Sequence, residues 1–171
     1  WSTAPAATEI ENTVLDWLVD LLGLPSSWRL DEGPGGGVIQ MSASDSTHLS
    51  LAVARHQFEL SGADANSLVA YGSSQAHSSI EKGARIAGFN HIRSVPVTDT
   101  FGIDANAFEQ IVRDDIDSGL IPAWVCSAVG TTNTTAMDPI RAIAAIASEN
   151  GMWHHADAAY AGSAMICPEF R

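Results

Sequence analysis

Basic residues are scarce in this sequence of 171 residues. Lysine and arginine number 8 against 20 acidic residues, and the formal net charge is −12 at pH 7. Nucleic acids and anionic membrane surfaces bind clustered positive charge, so this balance argues against both as partners. The acidic residues are scattered along the chain, which favours a role in solubility. Lysine is the scarcest of the charged residues, since Lys82 is the only one.

Long apolar runs and signal sequences are also lacking. No run of about 18 apolar residues occurs, so we expect no membrane-spanning helix. The first residues lack the basic start and apolar segment of a signal peptide.

Only two cysteines occur, Cys126 and Cys167, in apolar surroundings and without metal-ligand spacing. We expect both to be buried thiols of a cytoplasmic protein. Because no methionine opens the sequence, we also expect an incomplete chain.

What the sequence does contain is enough apolar residue for a core, at 46% hydrophobic against 16% charged. Periodicity and turn signals predict strands that alternate with helices. Thr8 and Glu11 have the spacing of a capping box and are expected to open the first helix. The predicted helices span residues 10–22, 46–60, 78–87, 105–117 and 138–149, and the predicted strands span residues 38–41, 68–71, 91–95, 121–129 and 153–157. This alternation predicts one α/β domain of three layers with a mostly parallel sheet.

Polar residues follow four of the five predicted strands. They occupy residues 42–47, 73–79 and 130–135, and Asp157 closes the last strand. Because the carboxyl ends of parallel strands open on one edge of the sheet, these residues are expected to converge on one ligand.

Each of these groups suits a particular contact. Ala43 and Ser44, at a predicted helix start, offer free N–H groups and the positive end of the helix dipole, which suits a phosphate. His77 suits stacking on an aromatic ligand or proton transfer. Thr131 and Thr132 offer hydroxyls that can donate hydrogen bonds, and Asp157 offers a carboxylate. Taken singly, Ser44 and Asp157 are explained equally well as helix caps, and His77 as a surface residue.

Two other ligand classes fit less well. His77, His154, His155 and Asp157 include the residue types of a zinc site, but the adjacent His154 and His155 point to opposite faces of a strand, so at most one of the two faces the site. A dinucleotide site would place its glycine-rich turn after the first strand, whereas residues 33–37 precede it.

The motifs taken together resemble the group II pyridoxal-phosphate-dependent amino-acid decarboxylases, and most closely the aromatic L-amino-acid decarboxylase branch. The resemblance implies the large domain of the type I, aspartate aminotransferase-like fold, with pyridoxal 5'-phosphate as cofactor. Six segments carry it in the order of the family: Pro5-Ala6-Ala7-Thr8-Glu9, Gly35-Gly36-Gly37-Val38-Ile39-Gln40, Ala43-Ser44, Gln75-Ala76-His77-Ser78-Ser79, Gly130-Thr131-Thr132, and His155-Ala156-Asp157-Ala158-Ala159-Tyr160-Ala161-Gly162-Ser163-Ala164 with Cys167-Pro168-Glu169-Phe170-Arg171 beyond it.

The resemblance assigns roles to particular residues. Asp157 is implied to pair with the protonated pyridine nitrogen of the cofactor, and His77 to stack on the ring and assist protonation. These two are the expected catalytic residues. Ala43 and Ser44 are implied to hold the phosphate, and Thr132 and Ala159 to pack around the ring. The residues expected to bind the cofactor are therefore Ala43, Ser44, His77, Thr132, Asp157 and Ala159. Thr8 is implied to lie near the substrate or the edge of the cofactor.

The implied activity is that of a carboxy-lyase that converts an L-amino acid, expected to be aromatic, into its amine and CO2. Tyrosine, tryptophan, dopa and histidine remain alternative substrates. An aldehyde synthase on the same scaffold and a non-catalytic module that binds a phosphorylated ligand remain alternative functions. The resemblance also implies a homodimer, with the apolar helix 10–22 and Trp1 as candidates for buried surface.

One departure from the family pattern concerns the Schiff-base lysine. Members carry an Asn-Pro-His-Lys-like segment after the position matched by Arg171, and Lys82 does not match it. We therefore expect residues 1–171 to be part of a cofactor-binding large domain, without the lysine segment and the small C-terminal domain. The isolated chain is expected to be inactive.

Overall fold

The computed structural model describes residues 2–171, which form two compact units. The central unit is Ser42–Ala161, and the terminal unit combines residues 2–41 with Gly162–Arg171. Trp1, a candidate for buried surface, lies outside the described residues.

A four-stranded parallel sheet forms the middle of the central unit. Its strands lie in the order β2-β1-β3-β4. They are β1 (Leu68–Ser73), β2 (His91–Val95), β3 (Ile121–Ala128) and β4 (Trp153–Asp157), and the helices of the two units are α1 (Pro5–Leu22), α2 (Ala43–Leu60), α3 (Ser79–Ile86), α4 (Ala105–Asp117) and α5 (Ile140–Glu149). Four of the five predicted strands are confirmed. The two inner strands, β1 and β3, are buried along most of their length, which suits parallel strands covered on both faces.

Helices cover both faces of this sheet. On one face Leu51 of α2 and Ala84 of α3 pack with Trp124 in a buried cluster. On the other face Phe108 of α4 and Ile143 of α5 belong to a second buried cluster, which includes side chains of β1, β2 and β3. The predicted three-layer α/β architecture is therefore confirmed.

One buried polar network lies within the second cluster. The Tyr71 hydroxyl donates to Asp115 Oδ2 at 3.0 Å, and Arg93 Nη2 donates to Asp115 Oδ1 at 2.6 Å. Burial is the main reason that the pKa of Tyr71 is raised, and the hydrogen bond to Asp115 raises the pKa of Arg93. The network leaves the carboxylate paired, which is the condition for burying a charge at acceptable cost.

The terminal unit is built around α1 and corrects two predictions. The helix begins at Pro5, and its cap residue Ala4 makes no side-chain cap bond. The predicted capping box at Thr8 is therefore wrong, because proline at the first helical position starts the helix earlier. The predicted strand 38–41 is also absent, since the Ile39 N–H donates to Glu11 Oε1 at 2.7 Å rather than to a neighbouring strand.

The cysteines are both free, but they differ in burial. Cys126 is buried, and burial raises the pKa of its thiol. Cys167 is exposed, so the prediction of two buried thiols is wrong for that residue.

Among residues 2–171 no helix combines the length and the apolar character that crossing a bilayer requires.

Candidate functional site

A cleft of about 200 Å³ opens at the carboxyl edge of the sheet in the central unit. The start of α2, the connection after β1 and the segments that follow β3 and β4 all contribute to it. Its lining residues are Ser42, Ala43, Ser44, Gln75, Ala76, His77, Ser79, Ala128, Gly130, Thr131, Thr132, Asp157, Ala159 and Tyr160. The predicted convergence of the polar segments at this edge is therefore found.

The first turn of α2 forms one end of the cleft. Ser42 is its N-cap, and the Ser42 Oγ accepts from the Asp45 N–H at 3.2 Å while donating to Asp45 Oδ2 at 2.8 Å. The helix begins at Ala43, three residues before the predicted start. The N–H groups of Ala43 and Ser44 belong to the first turn, where a helix supplies them no acceptor. These N–H groups lie at the positive end of the helix dipole, so the N-terminus of α2 can hold an anion.

His77 is fixed by its neighbour Ser79. The His77 Nδ1 accepts from the Ser79 N–H at 3.1 Å and lies 2.9 Å from the Ser79 Oγ. Ser79 is 4% exposed, whereas His77 itself is exposed at the cleft. Because Nδ1 accepts a hydrogen bond, the proton of the neutral imidazole lies on Nε2. The ring is thus oriented while Nε2 remains available to a ligand.

Two neighbouring threonines in the loop after β3, Thr131 and Thr132, make different contacts. Thr131 is buried, and its Oγ1 pairs with the Thr134 Oγ1 at 2.7 Å and accepts from the Ala136 N–H at 3.2 Å. Thr132 is exposed on the cleft. Thr131 therefore shapes the loop, and Thr132 can contact a ligand.

Asp157 ends β4 and lies beside Ala128, its partner in the register of β3 and β4. Its Oδ1 accepts from the Ala159 N–H at 3.1 Å. Within the part of the chain that the structure describes, its Oδ2 accepts no hydrogen bond. Asp157 is half-buried in the cleft wall. It therefore caps the following turn with one oxygen and offers the other to a ligand.

The two histidines of β4 lie on opposite faces of the sheet, as predicted. His154 Nε2 is 2.7 Å from the Ser127 Oγ, whereas His155 stacks on Trp124 with ring centroids 5.6 Å apart and contacts Thr47. Burial lowers the pKa of both imidazoles, although Asp157 partly opposes the shift at His155. No group of three or more potential metal ligands is present among residues 2–171.

Six of the seven predicted site residues line this cleft. They are Ala43, Ser44, His77, Thr132, Asp157 and Ala159. The seventh, Thr8, lies on α1 of the terminal unit.

Ser42, Ser79 and Tyr160 are among the other lining residues, and their individual roles were not predicted from the sequence. A hydroxyl two residues after a histidine was the available signal for Ser79. The spacing of Ser42 and Asp45 was the available signal for the cap of α2.

The α/β domain thus brings an anion-binding helix end, an oriented imidazole and a free carboxylate oxygen into one cleft, and such donors and acceptors suit a ligand with an anionic group and a basic ring nitrogen. The family is also established, because the model of the pyridoxal-dependent decarboxylase conserved domain matches residues 1–171. The chain therefore belongs to the pyridoxal-dependent decarboxylases.

Individual relatives agree with this family. The chain is 46% identical to an aromatic-L-amino-acid decarboxylase of Catharanthus roseus and 42% identical to a phenylacetaldehyde synthase of a Rosa hybrid cultivar, over all of this chain and 35% of each relative. It superposes on the crystal structure of Oryza sativa TDC with PLP and tryptamine with a TM-score of 0.92 and 42% identity, covering 99% of this chain and 36% of that one.

The chain thus spans about a third of the length of the relatives that it matches. The predicted resemblance in sequence and in fold is confirmed.

Proposed function

We propose that this chain is part of an enzyme that binds pyridoxal 5'-phosphate and removes the α-carboxylate of an aromatic L-amino acid as CO2. The observation that carries the proposal is the shared cleft, which combines the free N–H groups of the α2 start with the free oxygen of Asp157. The family and the decarboxylases among the relatives support it.

The donors and acceptors of the cleft fit this cofactor. The first turn of α2, at Ala43 and Ser44, suits the phosphate, because backbone N–H groups and the helix dipole both favour an anion. His77 suits the face of the ring. Thr132 and Ala159 suit its flanks, since one is a small polar residue and the other a small apolar residue.

Asp157 is proposed to hold a proton on the ring nitrogen, because a carboxylate next to a cation stabilises its charged form. When bound, the cofactor supplies an electron-accepting ring that takes up the electrons left by the departing CO2. His77 is proposed to orient the ring and to move a proton through Nε2, which its bond to Ser79 leaves available. Thr8 is proposed to contact the substrate or the edge of the cofactor.

The Schiff-base lysine is proposed to lie outside these 171 residues. Lys82 is exposed on α3 and does not line the cleft, which supports this view. The chain would then be part of a large domain, as its coverage of about a third of each relative also suggests. The catalytic activity would belong to the longer protein.

The test uses the full-length enzyme with pyridoxal phosphate and, separately, tyrosine, tryptophan, dopa and histidine. We expect CO2 release with at least one aromatic substrate, together with an equal amount of the amine. Asp157→Ala should abolish the release. A full-length protein that binds the cofactor but releases no CO2 from any of the four would contradict the proposal.

An aldehyde synthase is a second candidate, and the 42% identity to the rose phenylacetaldehyde synthase favours it. Conversion of the amino acid to an aldehyde removes two more electrons than decarboxylation: the nitrogen would leave as ammonia, water would supply the aldehyde oxygen, and O2 would take up the two electrons as hydrogen peroxide. The same reaction mixtures therefore distinguish the two activities. Amine without oxygen consumption identifies the decarboxylase, and aldehyde with oxygen consumption identifies the synthase.

We also propose that the enzyme is a homodimer. Most apolar side chains of α1 are exposed, with Ile10 at 64% and Trp17 at 60%, and only Val19 of this helix is buried. A second copy would cover this face and remove it from water. Light scattering on the full-length protein tests the proposal, and a stable, active monomer would contradict it.

A cytoplasmic location is proposed on the two free thiols, and cell fractionation tests it.

A further inference from the structure

A buried carboxylate outside the cleft carries a further inference. Asp138 is 4% exposed, and its two oxygens accept from backbone N–H groups of two different segments. Oδ1 accepts from Ile103 at 2.8 Å, and Oδ2 accepts from Ala128 at 2.6 Å. Burial raises the pKa of this carboxyl, while the two N–H donors act in the opposite direction.

The charge of Asp138 is stabilised by backbone groups alone. Among the ion pairs formed by residues 2–171, none includes Asp138. Burying a carboxylate without a cation is costly, and the hydrogen bonds to N–H groups offset that cost only in one geometry. The carboxylate therefore constrains the positions of both donors.

Ala128 is the donor that matters for the cleft. It is the last residue of β3, it lines the cleft, and it lies beside Asp157 in the sheet. The pairing of β1 with β3 ends at Val125, so β1 supplies no acceptor to the Ala128 N–H. Asp138 supplies that acceptor, and its own N–H donates to the Ala128 oxygen at 3.0 Å.

The segment between these two residues is the loop that presents Gly130 and Thr132 to the cleft. It closes through a bridge between Val129 and Met137 and through the Thr131 N–H, which donates to the Ala136 oxygen at 3.0 Å. Asp138 therefore holds the base of this loop at the end of β3.

We propose that Asp138 is a positioning residue for the cofactor site, which fixes the end of β3 and the loop 130–132 through its bond to Ala128. The inference rests on the proposed cofactor. An asparagine at this position has one acceptor oxygen and turns an NH2 group toward the second N–H donor. The end of β3 would then shift, and the contacts of the cleft with the cofactor would weaken.

The experiment measures cofactor contacts without any covalent bond to lysine. Cofactor-free full-length enzyme is titrated with pyridoxamine 5'-phosphate, which has no aldehyde, and intrinsic fluorescence gives the dissociation constant. For Asp138→Asn we expect it to rise about tenfold or more, as for one lost hydrogen bond to a charged group.

Asp115→Asn is the matched control. Asp115 is also a buried carboxylate, 5% exposed, but it bonds to Tyr71 and Arg93 and does not line the cleft. We expect this variant to lose thermal stability like Asp138→Asn, while its dissociation constant stays within about twofold of the parent value. If Asp138→Asn does not fold, Asp138→Glu keeps the charge and displaces the carboxylate, and the same rise is expected.

The outcomes separate this inference from the proposed function. A parent enzyme that does not bind pyridoxamine phosphate overturns the proposed cofactor. A parent that binds it, with Asp138 variants that bind equally well, overturns only the role of Asp138. Equal weakening by the Asp138 and Asp115 variants also overturns that role, because general destabilisation would then explain both.

Discussion

Replacement of Gly130 by alanine tests whether the Tyr160 side chain leaves room for a side chain in the loop after β3. Gly130 has a φ of +88°, and a Cβ atom there would lie 2.6 Å from the Cδ1 of Tyr160 and 3.2 Å from the Cβ of Ala161. The left-handed conformation costs a side chain about 1–2 kcal/mol. The contact adds about 1 kcal/mol, at the low end for overpacking because the exposed Tyr160 ring can rotate. We expect a loss of about 2–3 kcal/mol in the free energy of unfolding.

Gly62→Ala is the matched control for the backbone conformation. Gly62 has a φ of +86°, and no atom lies within 4 Å of a Cβ built on it. This variant should lose only the conformational energy of about 1–2 kcal/mol. The difference between the two variants then measures the contact with Tyr160. Adding Tyr160→Ala to Gly130→Ala should remove that difference.

Urea unfolding of the cofactor-free full-length protein measures these energies, and titration with pyridoxamine phosphate measures the cleft. Because Tyr160 lines the cleft and must move, Gly130→Ala should weaken binding, whereas Gly62→Ala should not. Equal stability losses for the two glycine variants, with no effect of Tyr160→Ala on the Gly130→Ala protein, would refute the reasoning. The contact at 2.6 Å would then impose no cost.

Three further predictions address the site and the chain. Asp157→Asn should weaken pyridoxamine phosphate binding about tenfold or more and abolish CO2 release in the full-length enzyme, because the amide cannot stabilise a ring cation. Acidification from about pH 7 to 5 should destabilise the fold, because the pKa of His154 and the pKa of His155 are lower in the folded protein than their ordinary value of 6.5. The stability that this difference provides is present above the ordinary pKa and is lost as the pH falls through the pKa of the folded state. Urea midpoints of His154→Asn and His155→Asn should accordingly depend less on pH over this range than the parent midpoint, and unchanged slopes would contradict the assignment. The 171-residue chain with added cofactor should release CO2 far below about 10 per second, and turnover near that rate that Lys82→Ala abolishes would show that the lysine has been misplaced.

Much of the central unit could be predicted from sequence because its signals are local. The inner strands β1 and β3 are short, buried and mostly apolar runs bounded by turn residues, a pattern typical of parallel strands covered on both faces. The helix 105–117 was predicted at its observed bounds, since Asp104 caps it and its apolar residues lie on one face. Residues 42–47, 73–79 and Asp157 could be assigned to one edge because strand direction fixes where each strand ends.

The errors concern properties that depend on distant parts of the chain. Residues 38–41 have the composition of a strand, but a strand exists only where another strand supplies hydrogen bonds. Val38 is 55% exposed and Ile39 60% exposed in the structure. The exposure of Cys167 likewise depends on what packs over it rather than on its apolar neighbours in sequence.

Within the site, the position of each loop could be predicted from the sequence, but the contacts of each side chain could not. Thr131 and Thr132 are adjacent and chemically identical, yet only Thr132 is exposed on the cleft, because Thr134 and Ala136 bond the other hydroxyl. Asp138 was predicted as the start of a helix, whereas α5 begins at Ile140 and Asp138 bonds to Ala128 and Ile103. Such bonds follow from loop closure in three dimensions and leave no periodic pattern.

The position of the α2 start shows why the site forms although the predicted strand before it does not. Leu51 and Ala54 of α2 are buried with Trp124 on one face of the sheet. Because side chains alternate along a strand, the residues that share this face on β4 are His155 and Asp157. The packing of α2 therefore places its positive end on the same face as the Asp157 carboxylate. A ligand with an anionic group at one end and a cationic ring nitrogen at the other requires that arrangement, and the central unit supplies it through the core rather than through a preceding strand.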